Sequence, residues 1–281
     1  MNQIDNRLRR CKWGWLHYSP SDQWIGQALD LYGEYSEIEV QTLLGLLPTG
    51  GVFVDAGANI GAITLPLARK ASFGYAIEPQ RLCFQALCAN LAINKLPNVN
   101  AIHAGAGERE ETALLMQPHW NGPNNLGGYS MTLGTTTEGA ELTRIITLDG
   151  LQLARCDLIK ADVEGMEAEV LRGARATIMR HRPVIYCEAD RHPKTPALIA
   201  LLHEFGYGTW WDVPPLFNPN NYAGNPDNQF ADIVSINMLC LPDGREPASW
   251  GPDTLPELAL PGDTFLIAQA RARARDTKEV A

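Results

Sequence analysis

The chain has 281 residues, a formal net charge of −9 and a hydrophobic fraction of 45%. This length predicts one or two domains, and the apolar fraction is sufficient for one large core. Because acidic residues outnumber basic ones by 32 to 23, the charge disfavours binding to nucleic acid through phosphate neutralisation.

Neither a membrane span nor a signal peptide is predicted. No stretch approaches the roughly 18 consecutive apolar residues of a spanning helix, and the opening MNQIDNRLRRCKWGWL lacks a continuous apolar run. Six scattered cysteines form no CxxC pair, so a zinc site or a disulfide framework is not expected. We expect a soluble, cytoplasmic protein with no membrane partner.

Residues 1–50 are predicted to form an N-terminal arm and one helix. The arm is rich in tryptophan, and contact with a second subunit in a homodimer is one role for it. In the stretch SEIEVQTLLGLLP, Ser36 and Glu39 suggest a capping box, an apolar stripe follows, and Pro48 ends the helix.

From residue 51 to residue 242, strand patterns and helix patterns alternate. Pro66 lies early in the first helical pattern, so we expect a kink or a late N-terminus there. The stretch EAEVLRGARATIM is predicted to form one helix. The last two strand patterns, YGTWWDV and ADIVSINMLCLP, have no helix between them, which indicates an antiparallel closing pair. We therefore predict an α/β fold with a Rossmann-like, doubly wound, mostly parallel seven-stranded sheet and a final antiparallel strand.

Several segments interrupt or extend this pattern. Residues 108–150 are predicted to be a strand-rich excursion. Two loops, at 117–131 and 214–228, are rich in aromatic, Asn and Gly residues and are candidate walls of an acceptor pocket. The 243–281 extension is rich in proline and then charged, and we expect it to be mobile.

The turn after the first buried strand has the pattern D-x-G-x-N-x-G, formed by Asp55, Gly57, Asn59 and Gly61. A dinucleotide fingerprint would have a second glycine where Ala58 stands, and an aspartate beside a pyrophosphate is unfavourable. A carboxylate in this position suits a cationic ligand. Ordinary turn chemistry, with the asparagine capping a helix, is the alternative.

S-adenosylmethionine is the cofactor that fits this turn, because it carries a sulfonium and an ammonium and no phosphate. Glu78 ends the second strand, where a carboxylate can accept both ribose hydroxyls. That feature is shared with nicotinamide enzymes, so the turn is the part that discriminates.

Further acids are expected at the same edge of the sheet. Asp162 and Glu188 end two downstream strands, and His192 follows shortly after. An alcohol needs a base to take its proton before it attacks a methyl group, and these three residues are the predicted catalytic groups. Glu164, at a helix start, is a predicted substrate contact, with a favourable interaction with the helix dipole as the alternative interpretation. The acids could instead hold a divalent cation that polarises the hydroxyl, which we do not predict.

The loop residues His119 and Trp120 are predicted substrate contacts, with a solvated histidine as the alternative interpretation.

Five stretches together resemble the FkbM-type methyltransferases, a family within the Rossmann-like S-adenosylmethionine enzymes. These are FVDAGANIGAITL, AIEPQ, TLDGL, DLIKADVEGMEAEVLRGA and RPVIYCEAD. The resemblance covers about residues 33–241. It implies O-methylation of a hydroxyl on a small molecule such as a polyketide, a sugar or another secondary metabolite.

The resemblance also implies roles for individual residues. The residues of the D-x-G-x-N-x-G turn would hold the methionine part of the cofactor, and Glu78 would hold the ribose. Asp162 and Glu164 would lie beside the transferring methyl group or the acceptor, and Glu188 matches the family's acid after the fifth strand. Alternative functions are N-methylation of an amine, an NAD-type oxidoreductase and a non-catalytic cofactor-binding protein.

Overall fold

A computed structural model of the chain describes residues 6–116, 140–191 and 193–245. The strands are β1 (Arg7–Cys11), β2 (Gly14–Tyr18), β3 (Val52–Ala56), β4 (Phe73–Glu78), β5 (Val99–His103), β6 (Gly105–Ala106), β7 (Glu111–Met116), β8 (Ala140–Ile146), β9 (Leu158–Ala161), β10 (Val184–Glu188), β11 (Tyr207–Asp212) and β12 (Asn237–Pro242). The helices are α1 (Ile25–Tyr32), α2 (Glu37–Leu46), α3 (Thr64–Lys70), α4 (Arg81–Ile93), α5 (Glu167–Arg172), α6 (Arg175–His181) and α7 (Thr195–Glu204).

The central sheet has seven strands in the order β11-β12-β10-β9-β3-β4-β5. Its strands are parallel except β12, which runs antiparallel between β10 and β11. This confirms the predicted Rossmann-like sheet with a final antiparallel strand. Strand order reverses between β3 and β9, and the crevice beyond the carboxyl ends of strands at such a point is where ligands bind in this fold.

Neighbouring residues of a strand point to opposite faces of the sheet. Since the strands are apolar at successive positions, both faces are apolar, and helices cover both. Val54 packs in one apolar cluster with residues of α5, α6 and α7. Phe53, next to it on β3, packs in another cluster with residues of α2 and α3. Both side chains are fully buried, as expected for a parallel sheet with two covered faces.

The N-terminal hairpin of β1 and β2 packs against α4. The carboxamide of Asn90, which is fully buried, accepts a hydrogen bond from the backbone N–H of His17 at 2.6 Å and donates to the backbone oxygen of the same residue at 3.1 Å. It also donates to the carbonyl oxygen of Ile60 at 2.8 Å. One buried side chain therefore joins the hairpin, α4 and the loop after β3.

Three local expectations differ from the structure or are refined by it. The stretch EAEVLRGARATIM, predicted as one helix, forms two helices, α5 and α6, which are divided at Gly173; a side chain there would lie 2.0 Å from the carbonyl oxygen of Gly107. The hydroxyl of Ser36 donates to the carboxylate of Glu39 at 2.8 Å and makes no hydrogen bond to the helix backbone, so the capping box is not formed. Pro66 is the third residue of α3, which agrees with the expected late N-terminus.

The strand-rich excursion is present as an antiparallel pair of β7 and β8, with β6 parallel to β8. The loop predicted at 117–131 and the extension beyond residue 245 lie outside the described residues. Across the described ranges, none of the helices combines the length and the apolar character needed to cross a bilayer.

Candidate active site

A cavity of about 650 Å³ lies beyond the carboxyl ends of β3, β4, β9 and β10. Its floor contains the strand-end residues Asp55, Glu78, Asp162 and Glu188, so four acids predicted from separate stretches are brought together. The opposite wall is formed by residues from the N-terminal region and from the segment before β12. These wall residues are Trp24, Ile25, Tyr35, Leu216, Asp232, Ile233, Val234, Ser235 and Ile236.

Asp55, at the end of β3, is completely buried. Its Oδ2 accepts a hydrogen bond from the hydroxyl of Thr64 at 2.6 Å. Its Oδ1 accepts no hydrogen bond from a described residue and lies 3.6 Å from the ammonium nitrogen of Lys160. The aspartate therefore lines the cavity as predicted, but part of its charge is balanced by a lysine that is not among the predicted site residues.

The two glycines of the turn are required by packing. Gly57 and Gly61 have φ angles of 84° and 88°, a region that residues with side chains rarely adopt. A side chain at Gly57 would lie 1.8 Å from the carbonyl oxygen of Asp162, and one at Gly61 would lie 2.8 Å from Leu87. The space that a side chain would take at either glycine is thus filled by protein atoms, while Gly57 itself lines the cavity.

Glu78 organises the loop after β3 as well as lining the cavity. Its two carboxylate oxygens accept hydrogen bonds from the backbone N–H groups of Asn59 and Gln80, each at 2.8 Å. Asn59 itself has a φ of 50°, and its side-chain oxygen accepts from the N–H of Ile60 at 2.7 Å. Burial raises the pKa of Glu78 to about 7, against the opposing effect of the two N–H donors.

Lys160 lies on β9 with only 3% of its surface exposed. Its ammonium nitrogen is 3.1 Å from Oδ2 of Asp162. Burial by itself lowers the pKa of this lysine, but the carboxylates of Asp162, Asp55 and Glu39 outweigh that effect and raise the pKa above its ordinary value. The lysine is therefore a fixed cation between acidic side chains, and it cannot serve as a base near neutral pH.

Three carboxylates of the cavity lining lie close together. Oxygens of Asp162, Glu164 and Glu188 lie within 4.8 Å of one another. Burial and the neighbouring acids raise the pKa of Glu188 well above its ordinary value, and they raise the pKa of Glu164 to about 7. This spacing leaves open the alternative of a divalent cation held by the acids.

Arg191 is the second basic side chain of the cavity lining. It donates to Oδ2 of Asp190 at 3.0 Å and forms an ion pair with Glu164. Oε2 of Glu188 and Oδ1 of Asp190 are both buried, and neither accepts a hydrogen bond from the described part of the chain. The two carboxyls interact with each other, and burial raises the pKa of both.

Three predicted residues lie outside the described residues, namely His119, Trp120 and His192, so their roles stay predictions. Of the loop predicted at 214–228, Leu216 lines the cavity, and the stretch at 232–236 just beyond it contributes more of the wall.

Sequence reasoning also missed Lys160 and the wall residues Trp24 and Tyr35. The lysine had a signal, since a charged residue within the short apolar strand LIKA needs a buried partner. The two aromatic residues had none, because their position depends on how the N-terminal region folds over the sheet.

A family profile described as the methyltransferase FkbM domain matches residues 55–208. The chain belongs to the FkbM methyltransferase family. The matched range of this FkbM-family chain contains each predicted acid of the cavity floor, from the end of β3 to the end of β10.

The relatives of the chain are also named as methyltransferases. Methyltransferase sdnD from Sordaria araneosa is 33% identical in an alignment of 159 residues, and the match covers 45% of this chain and 61% of that protein. Methyltransferase 1 from Beauveria bassiana (strain ARSEF 2860) is 29% identical in an alignment of 147 residues, and the match covers 45% of this chain and 59% of that protein. The matches thus span about three fifths of these relatives.

Among solved structures, the FkbM methyltransferase from Methylobacillus flagellatus KT is 21% identical with a TM-score of 0.47, and the match covers 69% of this chain and 45% of that one.

Proposed function

We propose that this chain is an S-adenosylmethionine-dependent methyltransferase that transfers a methyl group to a hydroxyl of a small molecule, such as a polyketide, a sugar or another secondary metabolite. One observation carries the proposal: the cavity at the switch point of the sheet is lined, among the described residues, by seven carboxylates and only two basic side chains. Such a lining attracts a cationic ligand and repels phosphates. It supports a sulfonium cofactor over a dinucleotide and a small-molecule acceptor over a nucleic acid.

The residues of the floor fit this cofactor. Oδ1 of Asp55 is buried without a hydrogen-bond donor among the described residues and can receive a cationic group. Each oxygen of Glu78 accepts one backbone N–H, and a carboxylate oxygen has a second lone pair, so Glu78 can still accept the two ribose hydroxyls. When bound, S-adenosylmethionine supplies a methyl group made electrophilic by its sulfonium.

The acids beside the predicted methyl position would accept the proton of the acceptor hydroxyl. The cofactor would also supply the leaving group, since its sulfur would keep the electron pair of the broken carbon–sulfur bond, so the residues of the chain have only to hold the acceptor and take its proton. The hydroxyl proton passes to Oε2 of ionised Glu188, which accepts no hydrogen bond from a described residue. Asp162 would orient the acceptor, and His192 remains a second candidate base.

The test has two stages. Calorimetry should first show that S-adenosylhomocysteine binds the purified chain and that NAD does not. Transfer of an isotopically labelled methyl group from S-adenosylmethionine would then be measured over matched panels of alcohols and primary amines. Glu188→Gln should retain S-adenosylhomocysteine binding and lose transfer to the alcohol.

Binding of NAD without S-adenosylhomocysteine would contradict the proposal. Labelling of amines alone would replace it by N-methylation, which the acidic lining also accommodates because an amine can enter as a cation. Cofactor binding with no acceptor in either panel would favour a non-catalytic binding protein.

A further inference from the structure

The buried ammonium of Lys160 lies between two acids that the fold places on one face of the sheet. Lys160 on β9 is the cross-strand neighbour of Asp55 on β3, so their side chains share a face. Asp162 is two residues further along the chain and returns to the same face. A negative, a positive and a negative group therefore stand side by side at the switch point.

This arrangement depends on the lysine. An ammonium removed from water is costly unless carboxylates compensate it, and here Nζ lies 3.6 Å from Asp55 and 3.1 Å from Asp162. Without it, the carboxylates of Asp55 and Asp162, at the tips of adjacent strands, would repel each other. The backbone N–H of Asp162 donates to the carbonyl oxygen of Ala56 at 3.0 Å, so the main chain is already anchored and the lysine fixes the side chain.

Glu78, which is proposed to hold the ribose and so marks the nucleoside end of the cavity, is anchored independently of the lysine. Glu78, at the tip of β4, is held by two backbone N–H groups and makes no ion pair with the lysine among the described residues. Loss of the Lys160 ammonium should therefore disturb one end of the cavity and leave the other intact.

We propose that Lys160 is a positioning residue for the cofactor: by pairing with both Asp55 and Asp162, it holds Asp55 where it receives the amino-acid part of S-adenosylmethionine and keeps Asp162 on the acceptor side. This inference rests on the proposed function. It assigns the lysine an effect on the charged end of the cofactor and none on the nucleoside.

Two ligands separate the two ends. S-adenosylhomocysteine carries the amino-acid part, whereas 5′-methylthioadenosine has the same nucleoside and a thioether without it. Dissociation constants for both would be measured by calorimetry on the wild-type chain, Lys160→Met and Lys160→Arg. We expect Lys160→Met to bind S-adenosylhomocysteine about tenfold or more weakly, since truncating one partner of a buried charged pair has effects of this size.

The same variant should bind 5′-methylthioadenosine within about twofold of wild type, because the nucleoside end keeps its own donors. Lys160→Arg keeps the cation and should restore most of the lost affinity. Lys12→Met is the matched control, since Lys12 also bridges two acids, Glu34 at 3.4 Å and Glu37 at 3.0 Å, and does not line the cavity. It should leave both affinities unchanged.

Three outcomes would overturn the inference: equal loss of both ligands in a folded Lys160→Met, unchanged binding of both, or no recovery in Lys160→Arg. If Lys160→Met does not fold, the double variant Asp55→Asn/Lys160→Met removes the buried cation together with its fully buried partner. It should show the same selective loss, and retention of S-adenosylhomocysteine affinity there would also overturn the inference. A wild-type chain that binds neither ligand would instead contradict the proposed function.

Discussion

Replacing Gly57 by alanine would place a methyl carbon 1.8 Å from the carbonyl oxygen of Asp162. Backbone must move to relieve this contact, because the oxygen belongs to the main chain of the segment after β9. The φ of 84° adds a second cost of about 1–2 kcal/mol for any residue with a side chain. Overpacking of a tight site adds about 1–3 kcal/mol. We therefore expect Gly57→Ala to lower the free energy of unfolding by about 2–5 kcal/mol.

Urea unfolding of the purified variants would measure this loss. Gly50→Ala is the matched control, since Gly50 has a φ of 71° and, among the described residues, no atom within 4 Å of the point that a Cβ would occupy; it should show the backbone cost alone. The difference between the two variants isolates the contact with Asp162. Equal destabilisation by the two alanines would refute the reasoning, because Gly57 would then not be packed against that carbonyl oxygen.

Three further predictions concern the hairpin, the buried acids and the reaction. Asn90→Ala should lower the free energy of unfolding by about 3 kcal/mol, since it leaves two half-buried backbone groups of His17 and the buried carbonyl oxygen of Ile60 without this partner. Asn94→Ala, whose bonds to the same hairpin are exposed, should cost about 1 kcal/mol or less. Equal losses would contradict this. Burial raises the pKa of Glu39 from 4.5 to about 7, so the folded chain holds this proton more tightly than the unfolded chain. Its stabilising contribution is complete below about pH 4.5 and is lost as the pH rises to about 7; Glu39→Gln should flatten the fall in unfolding free energy over that range, and an unchanged slope would contradict the assignment. Methyl transfer to an identified acceptor should survive excess EDTA because Glu188 can take the proton directly, whereas a loss that Mg²⁺ restores would favour a cation at the acidic cluster.

Much of the fold could be predicted from local patterns. Strands such as Val52–Ala56 are buried on both faces and therefore appear as short apolar runs, and helices such as Arg81–Ile93 appear as apolar stripes. The acids at the strand ends could be predicted for the same reason, since the end of an apolar run marks the edge of a parallel sheet. The exception is the stretch from α5 to α6, which the local pattern favours as one helix and which the structure divides at Gly173.

The tertiary structure decided which of these residues touch. Lys160 meets Asp55 only because β9 lies beside β3 in one particular register, and a shift by one residue would turn the lysine to the opposite face. Trp24 and Tyr35 reach the cavity only because the N-terminal region folds over the sheet. Burial, pairing of charges and contact distances arise between residues that are far apart along the chain, where no local pattern records them.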